Sequence, residues 1–262
     1  MEIFGIVNVT PDSFSDGGRA FETQAAVEHA LRLEDEGADI LDIGGESTRP
    51  GAAPVSVDDE LQRVIPVISA LAGRVSARLS IDTRKPEVAR AAIAAGASIW
   101  NDVTALSFAP DSLETAAELG CDVVLMHMQG EPSSMQQNPV YNDVVSEVIT
   151  FLRQRIADCV VAGISREKIT ADPGIGFGKT LEHNLALFAQ LEAFAALETK
   201  LMMGASRKRF IAALDRDGPA DTRIGGSIAA ALRAQRAGFT HVRVHDVAQT
   251  RQALAVAHAI GA

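Results

Sequence analysis

The side chains best suited to chemistry recur at one kind of position. Asn8, Asp42, Asp82, Asn101-Asp102, His127 and Asp172 each close a short run rich in β-branched residues, and Arg243 and His245 lie two apart in another such run. Side chains two apart on a strand share a face, so Arg243 and His245 point the same way. Carboxylates and amides gathered in this way can accept hydrogen bonds from a ligand, and Arg and His can bind an anion. One polar residue after a strand is ordinarily a cap or turn group, and on that ground Asp42 and Asp102 are the weakest members. Seven of eight strand ends behaving alike is a pattern rather than a set of caps.

Two further segments add chemistry. Ser206-Arg207-Lys208-Arg209 follows a strand and opens a helix, where free N–H groups and the helix dipole favour anions. With Arg243 and His245 on the adjoining strand, this corner reads as a phosphate or diphosphate site inside an acidic protein. Asp172-Pro173-Gly174-Ile175-Gly176-Phe177-Gly178-Lys179-Thr180 imitates a phosphate loop, but the first glycine of that motif is displaced by Pro173. What remains is a carboxylate followed by glycines that let a flat ligand approach the backbone. His127 has no second His or Cys at ligand spacing and reads as a structural histidine, which argues against zinc. A hard cation held by oxygen ligands and a substrate phosphate suits Asn8 better.

The elements that must position these groups alternate along the chain. Strands are expected at 3–9, 39–43, 78–82, 98–102, 122–127, 168–172, 200–203 and 240–245. Amphipathic helical stretches lie between them, among them 23–36, 58–72, 86–95, 141–162 and 181–197. Gly37, Gly96, Gly120, Gly163 and Gly238 each follow a helical stretch, as left-handed C-caps do. Eight βα units in 262 residues predict a single α/β domain, a (β/α)8 TIM-type barrel spanning 1–262, whose active site sits at the C-terminal strand ends. A doubly wound sheet is the runner-up, but no GxGxxG follows the first strand. The long loops 10–19 and 44–55 exceed what connection requires and suit mobile lids, with Phe14 and Pro50 as apolar walls.

Composition narrows the function. With 24 Lys plus Arg against 34 Asp plus Glu, the net charge is −10, which disfavours nucleic acid or an anionic membrane as a partner. No apolar run approaches the ~18 residues that span a bilayer. The start shows no secretory pattern, and Cys121 and Cys159 form no framework, so a reduced, cytoplasmic protein is expected. Aromatics are only 5%, so Ala, Val, Ile and Leu must build the core.

The segment Gly5-Ile6-Val7-Asn8-Val9-Thr10-Pro11-Asp12-Ser13-Phe14-Ser15-Asp16-Gly17-Gly18 resembles the opening signature of the dihydropteroate synthase family. Gly44-Gly45-Glu46-Ser47-Thr48-Arg49-Pro50-Gly51 is similar to its second. Ser80–Thr83, Leu125–Gly130, Asp172–Gly174, Ser206–Lys208 and Arg243–His245 follow in family order. The resemblance implies a (β/α)8 barrel, commonly a homodimer. It also implies a Mg2+-dependent transferase that joins p-aminobenzoate to (7,8-dihydropterin-6-yl)methyl diphosphate. It implies that Asn8 helps hold Mg2+, and that Asp82, Asn101, Asp172 and Lys208 bind the pterin. Thr48, Arg243 and His245 would contact the diphosphate, and Ser206, Phe14 and Pro50 would shape the p-aminobenzoate site. Arg49 and Phe177 complete the substrate-binding set, and Asp82, Lys208, Arg243 and His245 form the catalytic group.

Two departures stand out. Family members often carry a hairpin before the first strand; only Met1-Glu2 precede it here, so the barrel floor is expected to be covered otherwise or the chain start to be incomplete. Ile175 replaces a frequent aromatic. Two rival readings keep the barrel. A methyltetrahydrofolate–corrinoid methyltransferase has no reason for a diphosphate site, and a noncatalytic pterin-binding protein would bind without turnover.

Overall fold

A computed structural model of the chain describes residues 1–10, 18–49 and 51–261. Phe14 and Pro50, expected at the p-aminobenzoate site, lie outside the described residues. Alternation along each strand decides which side chains fill the barrel and which pack against helices. The strands are β1 (Glu2–Asn8), β2 (Ile40–Gly44), β3 (Arg78–Asp82), β4 (Ile99–Asp102), β5 (Asp122–Met126), β6 (Ile169–Asp172), β7 (Lys200–Met203) and β8 (His241–Val244). They pair in parallel in sequence order, and β8 returns to β1, closing the expected (β/α)8 barrel. Each lies within one residue of its expected ends.

The helices are α1 (Gly18–Asp35), α2 (Val57–Leu71), α3 (Pro86–Ala94), α4 (Ser112–Leu119), α5 (Val144–Val161), α6 (Leu181–Ala189), α7 (Arg209–Leu214), α8 (Ile224–Arg236) and α9 (Val247–Ala259). Local chemistry sets their ends. Ser56 Oγ accepts from Asp59 N at 3.1 Å to start α2, and Asp58, Asp59 and Glu60 complement the dipole there. Asp143 caps α5 through Val145 N and Ser146 N, which places the helix start three residues after the expected Tyr141. The stretch expected as one helix over 181–197 breaks at Gln190, and residues 191–197 wind as a 3-10 helix. Leu191, Phe194 and Leu197 are the buried residues, and spacing of three suits that tighter winding. The five expected C-cap glycines all have positive φ; at Gly96 a Cβ would also meet the Ala72 Cβ at 2.8 Å.

The outward strand residues, Leu41, Ile81, Trp100, Val123 and Leu125 among them, share one core with Val64, Ile68, Leu71, Val148 and Leu152 of the helices. Each buried aliphatic side chain of this kind contributes about 1.5–3 kcal/mol. Trp100 is fully buried and its indole N–H donates to Thr83 O at 2.7 Å, fixing the strand β3 exit. Inside the barrel Phe4, Ile40, Ile99, Val124 and Met202 form a separate apolar plug. Below the plug, at the N-terminal strand ends, Glu2 contacts His241 at 2.8 Å and Arg78 at 3.3 Å, and Arg78 reaches Asp122 at 3.1 Å. Above it the inward positions are Asp42, Ser80, Asn101, Asp172 and Arg243, with Asn8, Asp82 and His245 one step nearer the rim. Among the described residues no helix is long and apolar enough to cross a membrane.

Candidate active site

Arg243 is the hub above the plug. Its Nε donates to Asp42 Oδ2 at 2.6 Å and one Nη to Asp82 Oδ2 at 2.7 Å, while Asn101 Nδ2 donates to the same Asp42 oxygen at 3.1 Å. Three strands thus meet through one guanidinium, and β4 joins them through Asp42. Burial raises the Asp82 carboxyl above its ordinary range, with Arg243 opposing the shift and Asp42 adding to it. Asp42 Oδ1 and Ser80 Oγ, on paired positions of β2 and β3, are buried without a hydrogen-bond partner. Buried polar atoms left in that state mark a place for water or ligand. Asp102 behaves differently: it faces outward and accepts from Thr104 N, Thr104 Oγ1 and Leu106 N, the loop-capping role its type suggested.

Asp172 ends β6 with Oδ1 accepting from Gly174 N at 2.7 Å. A Cβ at Gly204 would come within 3.2 Å of Oδ2, so glycine there keeps that oxygen approachable. Burial raises the Asp172 carboxyl, and the charge of Lys208 opposes this. Lys208 Nζ donates to Ile175 O and lies 4.4 Å from the centre of the Phe177 ring. Burial lowers its ammonium to about 8. Asp172, Lys208 and Phe177 therefore share one pocket wall, a carboxylate and a cation beside a flat apolar ring.

The basic segment 206–209 does not act as a unit. Arg207, at φ +57, turns away and pairs with Asp246 through contacts of 3.0 and 2.6 Å. Ser206 Oγ accepts from His245 N at 3.2 Å and stands 3.0 Å from His245 Nδ1. In the tautomer where the hydroxyl donates its hydrogen to Nδ1, Nε2–H is the free donor of the ring. Burial and then Arg243 lower His245 to about 3, so the ring is neutral near pH 7 and acts as a hydrogen-bond donor. Arg49 is close enough to contribute to that lowering.

Thr48 and Arg49 ride on the loop after β2, whose base is fixed by charges that sequence reasoning missed. Glu46 accepts from Lys85 at 2.8 Å and from Arg84 at 3.3 Å; Lys85 also donates to buried Glu60, and Arg84 to Glu131 at 3.0 Å. Gly51 N donates to Pro132 O at 3.2 Å, tying this loop to the one after β5. Glu46 was visible within the second signature, but nothing in the spacing announced its partners. Asn8 sits half-buried at the β1 exit, in register with Gly44. Among the described residues no group of three or more His, Cys, Asp or Glu could hold a metal ion. His127 faces outward, its ring edge against Phe151, and burial lowers it to about 3.

The family model described as "Pterin binding enzyme" matches residues 4–245. A dihydropteroate synthase from Escherichia coli (strain K12) is 51% identical over 257 residues, covering 98% of this chain and 90% of that one. The structure is similar to that of a Xanthomonas albilineans dihydropteroate synthase with 4-aminobenzoic acid, at TM-score 0.94 and 50% identity, covering 100% of this chain and 93% of that one. A second structure of a Xanthomonas albilineans dihydropteroate synthase, in complex with 7,8-dihydropteroate, aligns at TM-score 0.90 and 48% identity, covering 100% and 94%. With half of its residues shared over nearly its whole length and the same closed barrel, this chain belongs to the dihydropteroate synthases among the pterin binding enzymes.

Proposed function

We infer that the barrel mouth joins p-aminobenzoate to (7,8-dihydropterin-6-yl)methyl diphosphate, giving 7,8-dihydropteroate and diphosphate. The observation that carries this is the close match to a dihydropteroate synthase holding 7,8-dihydropteroate, together with the carboxylate, amide and cation set above the plug. Asp172 and Asn101 accept and donate along the pterin edge, with Lys208 and Phe177 closing one side. A buried carboxylate receiving two N–H donors from a guanidine-like edge makes a strong, directional contact.

The C–O bond to the leaving group breaks with its electron pair going to the diphosphate oxygen. The amine of p-aminobenzoate then supplies its lone pair to the methylene carbon and releases a proton. Asp82 offsets positive charge on the methylene. The Arg243 Nη that binds neither carboxylate, and the Nε2–H of His245, face negative charge growing on the diphosphate. Thr48 adds a hydroxyl to that anion, and Arg49 and Ser206 border p-aminobenzoate. An aniline amine is already nucleophilic, so no general base is needed.

Mg2+ fits this donor set as a diphosphate-bound ion, because Asn8 offers one amide oxygen and no all-protein cage exists among the described residues. Bound there, it would neutralise leaving-group charge. The free buried thiols Cys121 and Cys159 suit the reducing cytoplasm. A homodimer, the assembly the family resemblance implies, would be tested by light scattering at two concentrations. Supplying both substrates with Mg2+ should yield dihydropteroate and pyrophosphate in equal amounts; folded protein that binds the pterin without turnover would refute the assignment.

A further inference from the structure

The chemistry above makes no use of Lys179, although its side chain is buried at the heart of the loop that follows β6. Its Nζ lies 2.9 Å from Gly174 O, 3.1 Å from Phe177 O and 2.9 Å from His127 Nδ1, with His127 O at 3.3 Å. An ammonium has three hydrogens, so two loop carbonyls and one ring nitrogen can be satisfied at once. Those carbonyls are turned inward, where an unpaired acceptor is costly.

The loop has no slack on this side. Gly174 is at φ +68, and a Cβ there would stand 1.9 Å from His127 O; Gly178 is at φ +59, and its Cβ would stand 2.3 Å from Gln129 O. Tyr141 Oη donates to Gly178 O at 2.8 Å, and Gly176 N donates to Asn184 Oδ1 at 2.8 Å. On the opposite side the same loop meets the pterin wall. Lys208 Nζ donates to Ile175 O and lies over Phe177, and a Cβ on Gly176 would come within 3.3 Å of Lys208 Cδ. Two lysines therefore grip one loop, Lys208 from the mouth and Lys179 from behind.

We propose that Lys179 is a positioning residue for the pterin subsite: it pins residues 174–178 to the end of β5, and that loop sets Phe177 and the Ile175 carbonyl against Lys208. The role rests on the assignment of the pterin to Asp172 and Lys208, and it acts through backbone rather than by touching substrate. Losing it frees the loop to shift, and displacements of about 1 Å in supporting structure cost up to about 100-fold.

The test is steady-state kinetics of Lys179→Met with both substrates varied, beside Asp172→Asn. Lys179→Met should raise the KM for pterin diphosphate about 10- to 100-fold while the KM for p-aminobenzoate stays within about twofold. Gly178→Ala, which keeps the lysine but forces the loop off Gln129, should produce the same substrate-selective loss. A folded Lys179→Met with unchanged pterin KM, or with both KM values raised alike, would overturn the role. If that variant does not accumulate in folded form, Gly178→Ala decides the matter by the same ratio of KM values. Should Asp172→Asn leave the pterin KM intact, the subsite assignment fails and this role with it. Should Asp172→Asn raise it while Lys179→Met does not, only the role of Lys179 fails.

Discussion

At the N-terminal end of the barrel, Glu2, Arg78, Asp122, Lys200 and His241 form pairs that consume one another's hydrogen bonds. Glu2 and Arg78 there are 48% and 38% exposed, so water screens what the pairs do not satisfy. At the C-terminal end, Arg243 binds two carboxylates of which one is fully buried and the other 9% exposed. Asp42 Oδ1 and Ser80 Oγ remain without partners, and Asp172 keeps one oxygen beside Gly204. The apolar plug of Phe4, Ile40, Ile99, Val124 and Met202 separates the two sets. Similar side chains make a closed ring on one side and an open one on the other. What marks the functional end is unspent hydrogen-bonding capacity held out of water, since charge and an inward-facing side are common to both.

The largest expected effect is at the hub. Arg243→Met leaves Asp42 and Asp82 without their cation, which should cost about 3–5 kcal/mol of stability by denaturant titration. The same variant should lose at least about 100-fold in kcat, measured on the remaining folded protein at low temperature. A variant with full turnover would erase the distinction between the two ends. Next is Asp172→Asn, for which loss of a charged hydrogen bond of about 1.5–3 kcal/mol predicts a pterin KM raised roughly 10- to 150-fold, with p-aminobenzoate unaffected. Equal loss for both substrates would move the pterin away from β6.

A smaller effect separates the ends by pH. Asp82 must be ionised to offset cationic charge, and its carboxyl is raised, so kcat/KM for the pterin should fall on the acid side at a pH above the ordinary carboxylate range. Lys208 must be protonated, and with its ammonium at about 8 activity should fall again as pH rises past that value. Lys208→Arg should move the alkaline limb well upward while leaving the acid limb in place. A wild-type profile flat from pH 5 to about 9 would remove both assignments. The smallest effect belongs to the floor, where Arg78→Met should cost no more than about 1 kcal/mol and leave kcat/KM for either substrate within about twofold. A substantial loss of kcat/KM in that variant would show that the plug does not insulate the two ends.

Much of this arrangement was readable from the chain, for reasons that can be named. Short β-branched runs punctuated by Gly37, Gly96, Gly120, Gly163 and Gly238 placed each strand within a residue, because strand alternation and left-handed caps are local. Arg243 and His245 were recognisable by their spacing of two. The contact of Arg243 with Asp42 spans 201 positions in the chain and left no local trace, so Asp42 looked like a cap. Arg207 read as part of an anion site until its left-handed backbone turned it toward Asp246. Lys179 was visible only as the end of a failed phosphate-loop motif, since the carbonyls it gathers belong to backbone, which every residue carries. Leu191, Phe194 and Leu197 fit helix and 3-10 spacing alike over so short a run.

The central claim is that the open ring above the plug holds the pterin on Asp172 with its leaving group toward Arg243 and His245. Its most direct test is a crystal structure with a non-reactive pterin diphosphate analogue and Mg2+. The pterin N–H edge should lie within about 3.2 Å of an Asp172 oxygen, with phosphate oxygens at similar range from Arg243 or His245 Nε2. A pterin seated outside the barrel mouth, or turned so that its diphosphate faces Asp172, would contradict it.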